Sequence, residues 1–301
     1  MGAEKTLSLA ELLFGIQLIE ILQSLFAPQF NWVFVAITLL GDGTVLIGLS
    51  AVIYWCFDKS RGRLVTYVVL FGAYLNFFLK ILIAWPRPPI DLRITEKSET
   101  SYGFPSGHAQ DSTTFWTWIT LDFRKRVSGI LGAAIVVAVG ISRIYLGLHY
   151  PAQVIGGWIV GFAVACSGML VLRRLSRRSE QMRTTPQVLF AFSTLIPMTI
   201  ALALGFVGDT YPEQIGGYLF GFSLGVLVEE RFVHFTNEAS ARKRIFRLGI
   251  CGISTAIFVL ALELILPSGY LIPSFVNSVV RGLFVAAIVP ALFTRIERHY
   301  A

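Results

Sequence analysis

Residues 142–153, Ser-Arg-Ile-Tyr-Leu-Gly-Leu-His-Tyr-Pro-Ala-Gln, form the segment around which the rest of this chain is organised. The segment lies where two long apolar stretches meet, and it brings together a cation, an imidazole and an amide. Two further polar segments, residues 80–88 and 102–108, stand upstream in equally apolar surroundings. Together the three segments indicate one functional site placed at the ends of apolar helices.

Composition defines the class of protein. Of the 301 residues, 55% are hydrophobic and 14% are charged, which is more apolar material than a soluble core of this size can bury. Apolar stretches of about 18 or more residues recur along the chain, which predicts an integral membrane protein with an all-α fold, a polytopic helical bundle. The same length excludes a barrel of short alternating strands.

We expect about nine transmembrane helices and an N-terminal interfacial helix. Residues 7–26 carry two glutamates in an apolar background, which favours an amphipathic helix lying in the interface over an N-terminal span; Pro28 ends it. The predicted division is 1–41, the N-terminal helix and lead-in; 42–178, the core with the three polar segments; and 179–301, an extension of about four helices. The expected spans are 42–57, 64–85, 105–122, 127–148 and 151–172, then four centred near Pro197, Phe220, Ile257 and Ala287.

Positive charge predicts the orientation of the spans. Lysines and arginines concentrate near residues 59–63, 124–126, 173–183, 231–247 and 295–298, in alternate loops, which favours the cytoplasmic side for these loops and for the C-terminus. The net charge of +7 is therefore explained by topology, and no nucleic-acid partner is expected. The loop 87–104 and the turn 148–151 then lie on the extracytoplasmic side, although Arg87, Arg93 and Lys97 are there.

The C-terminal extension carries no recognisable chemistry. Its residues 211–222 resemble residues 150–162, with Thr210 standing where the first copy has His149. Packing faces of small residues and an old duplication both explain this similarity. Arg281 either pairs with Glu263 or faces the site. The cysteines Cys56, Cys166 and Cys251 have no metal-type or paired spacing and are read as small buried hydrophobes.

The first two polar segments suit an anion. Lys80 and Arg87 are seven residues apart, so two helical turns bring both cations to one side of a span. Snorkelling of two long cations toward the interface is the alternative. In the second segment, proline at the first helical position opens a helix whose N-terminus directs Ser106, Gly107 and His108 to one point, which is an arrangement that binds anions. An ordinary helix cap explains the serine but not the histidine.

The third segment supplies a nucleophile. His149 and Gln153 are one helical turn apart, so the Gln153 side-chain carbonyl is able to accept the Nδ1–H of His149 and leave Nε2 free to attack, while Arg143 holds a phosphate oxygen. A structural role is the usual alternative for a single histidine. Asp111, three residues after His108, either supplies a carboxylate to one of the histidines or makes an ordinary polar contact.

The patterns Lys-x6-Arg-Pro, Pro-Ser-Gly-His and Ser-Arg-x5-His resemble the three signatures of the type 2 phosphatidic acid phosphatase superfamily, over about residues 40–175. That superfamily includes lipid phosphate phosphatases, polyprenyl diphosphate phosphatases, glucose-6-phosphatases and soluble vanadium haloperoxidases. The resemblance implies that His149 is a nucleophile forming a phosphohistidine and that His108 is the general acid. It also implies phosphate ligands, namely Lys80, Arg87, Ser106, Gly107 and Arg143, and neither a metal nor a cofactor.

Gln153 departs from most of the superfamily, which has aspartate at this position. The glucose-6-phosphatase and dolichyl diphosphate phosphatase branches are similar to this chain in having glutamine there. The glutamine retains the orienting contact but loses the negative charge that would stabilise an imidazolium.

The resemblance therefore implies a membrane phosphatase that acts on a lipid phosphate or diphosphate monoester, and the charge pattern predicts that it acts at the extracytoplasmic face. A polyprenyl diphosphate is the first choice of substrate, and phosphatidic, lysophosphatidic or sphingoid-base phosphate is the second. The rivals are a sugar-phosphate phosphatase and a non-enzymatic lipid transporter or scramblase built on a retired phosphatase core. The spans exclude a soluble haloperoxidase. The membrane lipid substrate is the expected partner, and the sequence favours no oligomeric state.

The orientation is testable by labelling in a variant whose three native cysteines are replaced by alanine. A cysteine introduced at Ser98 should react with an impermeant thiol reagent added to intact cells, and one at Ser176 should react only after lysis. The reverse pattern would place the site on the cytoplasmic side.

Overall fold

The computed structural model describes residues 8–95, 99, 101–176, 212–238, 240–266 and 271–299, and all regular structure in this part is helical, as predicted. The helices of the N-terminal half are α1 (Leu9–Phe14), α2 (Gln17–Phe26), α3 (Asn31–Leu39), α4 (Gly43–Val52), α5 (Lys59–Ile83), α6 (Gly107–Phe123), α7 (Arg126–Tyr145) and α8 (Pro151–Ser176). Those of the C-terminal half are α9 (Pro212–Val228), α10 (Ala241–Ile265), α11 (Leu271–Leu283) and α12 (Val289–His299). Wider π-helical turns extend α4, α9 and α11 at Ile53–Phe57, Glu229–Val233 and Phe284–Ile288.

Five of the described helical segments are long and apolar enough to cross a membrane. They are α5, α7, the Pro151–Val171 part of α8, α10, and Ile272–His299, which joins α11 to α12. The pair α2 and α3 would make a sixth span, bent by 118° between its halves. The predicted span centred near Pro197 lies outside the described residues, so the expected number of about nine stays a prediction.

The N-terminal region differs from the single amphipathic helix expected over residues 7–26. It forms two helices, because Ser8 and Glu11 make a reciprocal capping box that starts α1, and the chain then breaks at Gly15 before α2 begins. On α2, Ile19 is fully buried in a cluster with Ala109, Ile144 and Val154. The Gln23 side chain on the same helix donates to the main-chain oxygens of Leu92 and Tyr145, both at 2.8 Å. Gln23 therefore has hydrogen-bond partners within the protein.

Two predicted helix starts are wrong. The helix α5 begins at Lys59, so the basic residues 59–63 lie in its first turns and not in a loop. The helix α6 begins at Gly107 and has Ser106 as its N-cap, so Pro105 is not its first residue. The Asn76 side chain donates to the Pro105 carbonyl at 3.2 Å, which satisfies that group before the helix begins. By contrast, Pro151 is the first residue of α8, as expected.

The chain divides into two compact units. The first consists of Met1–Ile47 and Phe71–Leu170, and the second of Gly48–Leu70 and Val171–Ala301. The first unit contains all of the predicted site residues. The three boundaries between the units fall inside α4, α5 and α8, so none of them is a flexible linker between separate domains.

In the first unit, a small-residue face of α8 lets the second polar segment approach closely. A Cβ at Gly157 would lie 2.7 Å from the Ser106 main-chain oxygen, and one at Gly161 would lie 2.4 Å from that of Gln110. The absence of side chains here sets the distance between α8 and the start of α6.

The second unit uses the same device between α9 and α11. A Cβ at Gly221 would lie 1.9 Å from the main-chain oxygen of Val279. The similarity between residues 150–162 and 211–222 is thus accounted for by two packing faces of small residues, each on a helix that begins at proline. Arg281 pairs with Glu263 at 2.6 Å, which confirms the first of the two predictions for this arginine.

Candidate active site

The first unit brings the three polar segments together at helix ends, namely the C-terminal ends of α5 and α7 and the N-terminal ends of α6 and α8. Lys80 lies in the last turn of α5, Arg143 lies in the last turn of α7, and Ser106 caps the start of α6. His149 precedes α8 by two residues, and Gln153 lies in the first turn of that helix. The contacts between these segments define the site.

One arginine determines the protonation pattern of the candidate nucleophile. Arg87 Nη1 lies 2.9 Å from His149 Nε2, and a guanidinium only donates hydrogen bonds. His149 Nε2 therefore accepts, which places the ring proton of the neutral imidazole on Nδ1. That nitrogen lies 3.2 Å from Gln153 Oε1, the acceptor expected from the spacing in the sequence. The lone pair on His149 Nε2 therefore faces the cation, and the protonated Nδ1 faces the amide.

The Gln153 amide is fixed in this orientation by two further groups. Its Nε2 donates to the Pro86 carbonyl at 2.7 Å, and its Oε1 accepts the Tyr150 N–H at 3.2 Å. A carbonyl only accepts and a main-chain N–H only donates, so the two ends of the amide cannot exchange places. The Gln153 main-chain oxygen also accepts the Ser106 N–H at 3.0 Å. Fully buried, Gln153 thus joins the three polar segments to one another.

The two cations of the first segment hold the loop that precedes α6. Arg87 donates from Nε to the Ser101 main-chain oxygen at 2.7 Å and from Nη2 to the Ser101 hydroxyl at 3.1 Å. Lys80 donates to the same hydroxyl at 3.1 Å and to the Tyr102 main-chain oxygen at 2.9 Å. Both cations are almost fully buried, so the snorkelling alternative does not describe them. Sequence reasoning did not identify Ser101.

A carboxylate bridges the two arginines of the site. Glu99 accepts from Arg87 Nη1 at 2.7 Å through one oxygen and from Arg143 Nη2 at 2.5 Å through the other. Burial raises the pKa of the Glu99 carboxyl, but the two arginines outweigh burial and lower that pKa to about 2. Arg87 and Arg143 therefore form an anion site. In this structure the site is filled by the Glu99 carboxylate, which is ionised throughout the physiological pH range. Glu99 could not be predicted from the sequence, because nothing in the loop pattern distinguishes it.

Two other predicted phosphate ligands carry buried polar atoms with no hydrogen-bond partner within the described part of the chain. They are Ser106 Oγ and Arg143 Nε, on side chains that are 0% and 2% exposed. A buried polar group without a partner costs about 1–3 kcal/mol, and an anionic ligand would satisfy both of these donors. Arg143 Nη1 is held by the Thr38 hydroxyl at 3.2 Å. Gly107 lies beside Asn76, where a Cβ would be 3.5 Å from Oδ1.

The second histidine lies at the more open side of the site. His108 Nε2 is 3.9 Å from Asp42 Oδ2, and both side chains are about one quarter exposed. Asp42 lies in the break between α3 and α4, so sequence reasoning had no reason to pair it with α6. The Oδ1 atom of Asp111, the carboxylate considered from the sequence, has no hydrogen-bond partner within the residues the structure covers.

Asn76 supports the turn that carries Ser106 and Gly107. Besides the Pro105 carbonyl, its Nδ2 contacts Gln110 Oε1 at 2.9 Å, and the Gln110 amide donates to the Gly72 main-chain oxygen at 2.6 Å. Both side chains are buried. Asn76 stands one helical turn before Lys80 in an otherwise apolar span, and that spacing was an available signal that the sequence analysis did not use.

The local charges favour a neutral His149. Burial lowers the pKa of the His149 imidazole, and three nearby cations, Arg87, Arg143 and Lys80, lower it further, to well below its ordinary value of 6.5. The hydrogen bond to Gln153 acts weakly in the opposite direction. The described residues contain no group of three His, Cys, Asp or Glu side chains placed to hold a metal ion.

Comparison with known proteins gives two matching family profiles. The profile of the PAP2 superfamily matches residues 62–177, and that of the "PAP2 superfamily phosphatase, transmembrane extension" matches residues 214–299. Among solved structures, the chain is similar to the first transmembrane PAP2 type phosphatidylglycerolphosphate phosphatase from Bacillus subtilis, with 26% identity and a TM-score of 0.47, covering 55% of this chain and 87% of that one.

Three curated relatives illustrate the range of similar proteins. Phosphatidylglycerophosphatase B of Bacillus subtilis is 32% identical over 44% of this chain and 71% of its own length. The undecaprenyl-diphosphatase of Sulfolobus acidocaldarius is 31% identical over 46% of this chain and 62% of its own. Glucose-6-phosphatase 3 of Mus musculus is 28% identical over 55% and 54%. For the second and third relatives, the matched region is less than two thirds of their length.

Because the pKa of His149 is lowered well below 6.5, we expect its imidazole to stay neutral in the free protein when the pH falls from about 8 to about 6. An ordinary histidine would become protonated over this range. The measurement is a pH titration of histidine ring signals by NMR, with selectively labelled protein and His149→Ala for assignment. Nitrogen shifts should report the proton on Nδ1. In Gln153→Ala, which lacks the acceptor, the preference for this tautomer should weaken. A midpoint near 6.5 for His149 would contradict the geometry.

Proposed function

Because this chain belongs to the PAP2 superfamily, we propose that it is an integral membrane phosphatase that hydrolyses a lipid phosphate or diphosphate monoester through a phosphohistidine intermediate. The observation that carries the proposal is the position of Arg87. This one guanidinium contacts both the lone pair of His149 and the carboxylate of Glu99. A nucleophile and an anion site that share an arginine are the two components that phosphoryl transfer to a histidine requires.

In the proposed first step, the phosphoryl oxygens of the substrate replace the Glu99 carboxylate between Arg87 and Arg143. Arg87 then directs its Nη1 proton to a phosphoryl oxygen, and the lone pair on His149 Nε2 becomes available. The bond from Nε2 to phosphorus forms, and the bond from phosphorus to the leaving oxygen breaks. For an alcohol leaving group, His108 supplies the proton.

In the second step, water attacks the phosphohistidine. His108 accepts the proton of the water, the bond from phosphorus to Nε2 breaks, and phosphate leaves. Gln153 accepts the Nδ1–H of His149 throughout, which keeps the ring in one orientation while it becomes positively charged. Lys80, Ser106, Gly107 and Arg143 are the other proposed phosphate ligands. We propose that Asp42 supplies the carboxylate that pairs with His108. Asp111 remains a secondary candidate for this pairing.

The proposed substrate is a polyprenyl diphosphate, bound from the extracytoplasmic side, with the C-terminus in the cytoplasm. The relatives support lipid substrates by their names, an undecaprenyl-diphosphatase and a phosphatidylglycerophosphatase. The opening next to Arg87 also supports a lipid, because Pro86, Pro88 and Ile90 give it an apolar wall. Phosphatidic, lysophosphatidic and sphingoid-base phosphates are the second choice.

A sugar-phosphate phosphatase is the second candidate function. Two observations favour it, the similarity to glucose-6-phosphatase 3 and the glutamine at position 153. The apolar wall of the opening argues against a sugar. The contacts among His149, Arg87 and Gln153 argue against a transporter built on a retired core, because such a protein has no use for an oriented imidazole.

The test is phosphate release by the purified protein from a panel of lipid diphosphates, lipid monophosphates and glucose 6-phosphate. His149→Ala should abolish release from every substrate. His108→Ala should slow the hydrolysis of alkyl phosphates by about two to four powers of ten, the usual contribution of a general acid. With an activated aryl phosphate, whose leaving group needs no proton, the formation of the phosphoenzyme should be much less affected.

Arg126→Gln provides a control, because Arg126 is exposed and lies at the opposite end of α7 from Arg143. Turnover by His149→Ala at the parental rate would contradict the phosphohistidine mechanism. A parent protein that releases phosphate from glucose 6-phosphate but from no lipid would favour the second candidate function.

A further inference from the structure

A cavity of about 380 Å³ adjoins the anion site on the side of the loop that precedes α6. Its walls are formed by Pro86, Arg87, Pro88, Ile90, Arg93, Glu99, Ser101 and Tyr102. Arg87 and Glu99 are shared with the anion site, whereas neither His149 nor Arg143 reaches the cavity wall. The cavity is therefore the place for the part of a ligand that does not react.

Arg93 gives this cavity a second cation that belongs to none of the three sequence signatures. Its Nη1 donates to the Glu99 main-chain oxygen at 3.3 Å. Its Nε is buried and has no hydrogen-bond partner within the described residues. A guanidinium offers five donors in a planar fork, so Arg93 retains capacity for an anionic ligand in the cavity.

The chain around Arg93 is held firmly against the third polar segment. The Leu92 main-chain oxygen accepts from Gln23 at 2.8 Å, and the Ile94 N–H donates to the Leu146 main-chain oxygen at 3.2 Å. Gly147 has a φ of +70°, and a Cβ there would lie 2.1 Å from the Leu92 oxygen. Since only glycine permits both the backbone conformation and this approach, the arginine is positioned by the same turn that leads to His149.

Glu99 contacts both the anion site and Arg93. Its carboxylate contacts Arg87 and Arg143, and its main-chain carbonyl contacts Arg93. The two ends of one glutamate residue therefore span the interval from the reactive anion site to Arg93. Both positions are close enough together to be contacted by one residue, so a ligand with two neighbouring anionic groups is suited to contact both.

We propose that Arg93 forms a second anion subsite, which binds the non-reacting phosphate of a diphosphate monoester and makes the site selective for diphosphates over monophosphates. The proposal rests on the proposed function, since it assigns the reacting phosphate to Arg87, Arg143 and His149. Arg93 is the specificity residue, and the cavity wall of Pro86, Pro88 and Ile90 receives the first part of the lipid chain.

The chemistry explains why a cation is useful at this position. His149 Nε2 bonds to the terminal phosphorus, and the bond from that phosphorus to the bridging oxygen breaks with its electron pair going to the oxygen. The lipid monophosphate leaves with one more negative charge on this oxygen and needs no proton to do so. Arg93 stabilises that charge, whereas an alcohol leaving group depends on the proton of His108.

The experiment compares farnesyl diphosphate with farnesyl monophosphate, which have the same chain, for the purified full-length parent, Arg93→Gln, Arg93→Lys and the control Arg126→Gln. In Arg93→Gln we expect kcat/KM for the diphosphate to fall about tenfold to a hundredfold, the range typical of a charge-assisted hydrogen bond. The value for the monophosphate should change less than about threefold. Arg93→Lys should recover part of the loss, and Arg126→Gln should match the parent.

Each other outcome overturns the inference. Equal losses for both substrates in Arg93→Gln would mean that Arg93 acts only by holding Glu99 and its loop. Unchanged kinetics would mean that Arg93 contacts neither phosphate. A parent that hydrolyses the monophosphate but not the diphosphate would overturn the second subsite and the choice of a diphosphate substrate, and would leave the proposed lipid phosphatase activity intact. A parent that releases phosphate from no lipid would overturn both.

Discussion

The guanidinium of Arg87 is the constraint on which the rest of the site depends. It meets His149 Nε2, the Glu99 carboxylate, the Leu148 carbonyl and both polar groups of Ser101. These contacts use the planar fork of an arginine, which a lysine does not reproduce. By donating to Nε2, Arg87 leaves the ring proton on Nδ1, and this gives the Gln153 amide its function. One side chain thus sets the tautomer of His149, contacts the loop before α6 and contributes to the anion site.

Three buried cations placed close together are costly unless an anion accompanies them. Lys80 donates to neutral oxygens of Ser101 and Tyr102, and the single carboxylate of Glu99 is shared by Arg87 and Arg143, so it balances only one of their two charges. In the proposed mechanism a phosphate replaces that carboxylate. A phosphate brings more negative charge than Glu99 and more acceptor oxygens, which favours the exchange.

Contacts between residues that are one helical turn apart could be predicted from the sequence. The interval of four residues from His149 to Gln153 correctly placed an amide oxygen next to Nδ1, and Pro151 correctly marked the start of α8. The contacts made by loops were not accessible, because no periodicity relates Glu99 to the two arginines or Asp42 to His108. The start of α6 was misplaced for a related reason, since the Asn76 side chain from another helix takes the Pro105 carbonyl. A packing face of small residues on α8 was one of the two explanations that the sequence offered, but the sequence did not indicate that this face packs against the start of α6.

The central claim is that His149 reacts through Nε2, and the most direct measurement is the identification of the phosphorylated atom. His108→Ala should be mixed with an activated aryl phosphate and quenched in denaturant during turnover, since loss of the second-step base lets the phosphoenzyme accumulate. Peptide mass spectrometry then locates the residue, and phosphorus NMR distinguishes the two ring nitrogens. The account predicts an acid-labile phosphoryl group on Nε2 of His149. A phosphoryl group on Nδ1 or on any other residue would contradict it.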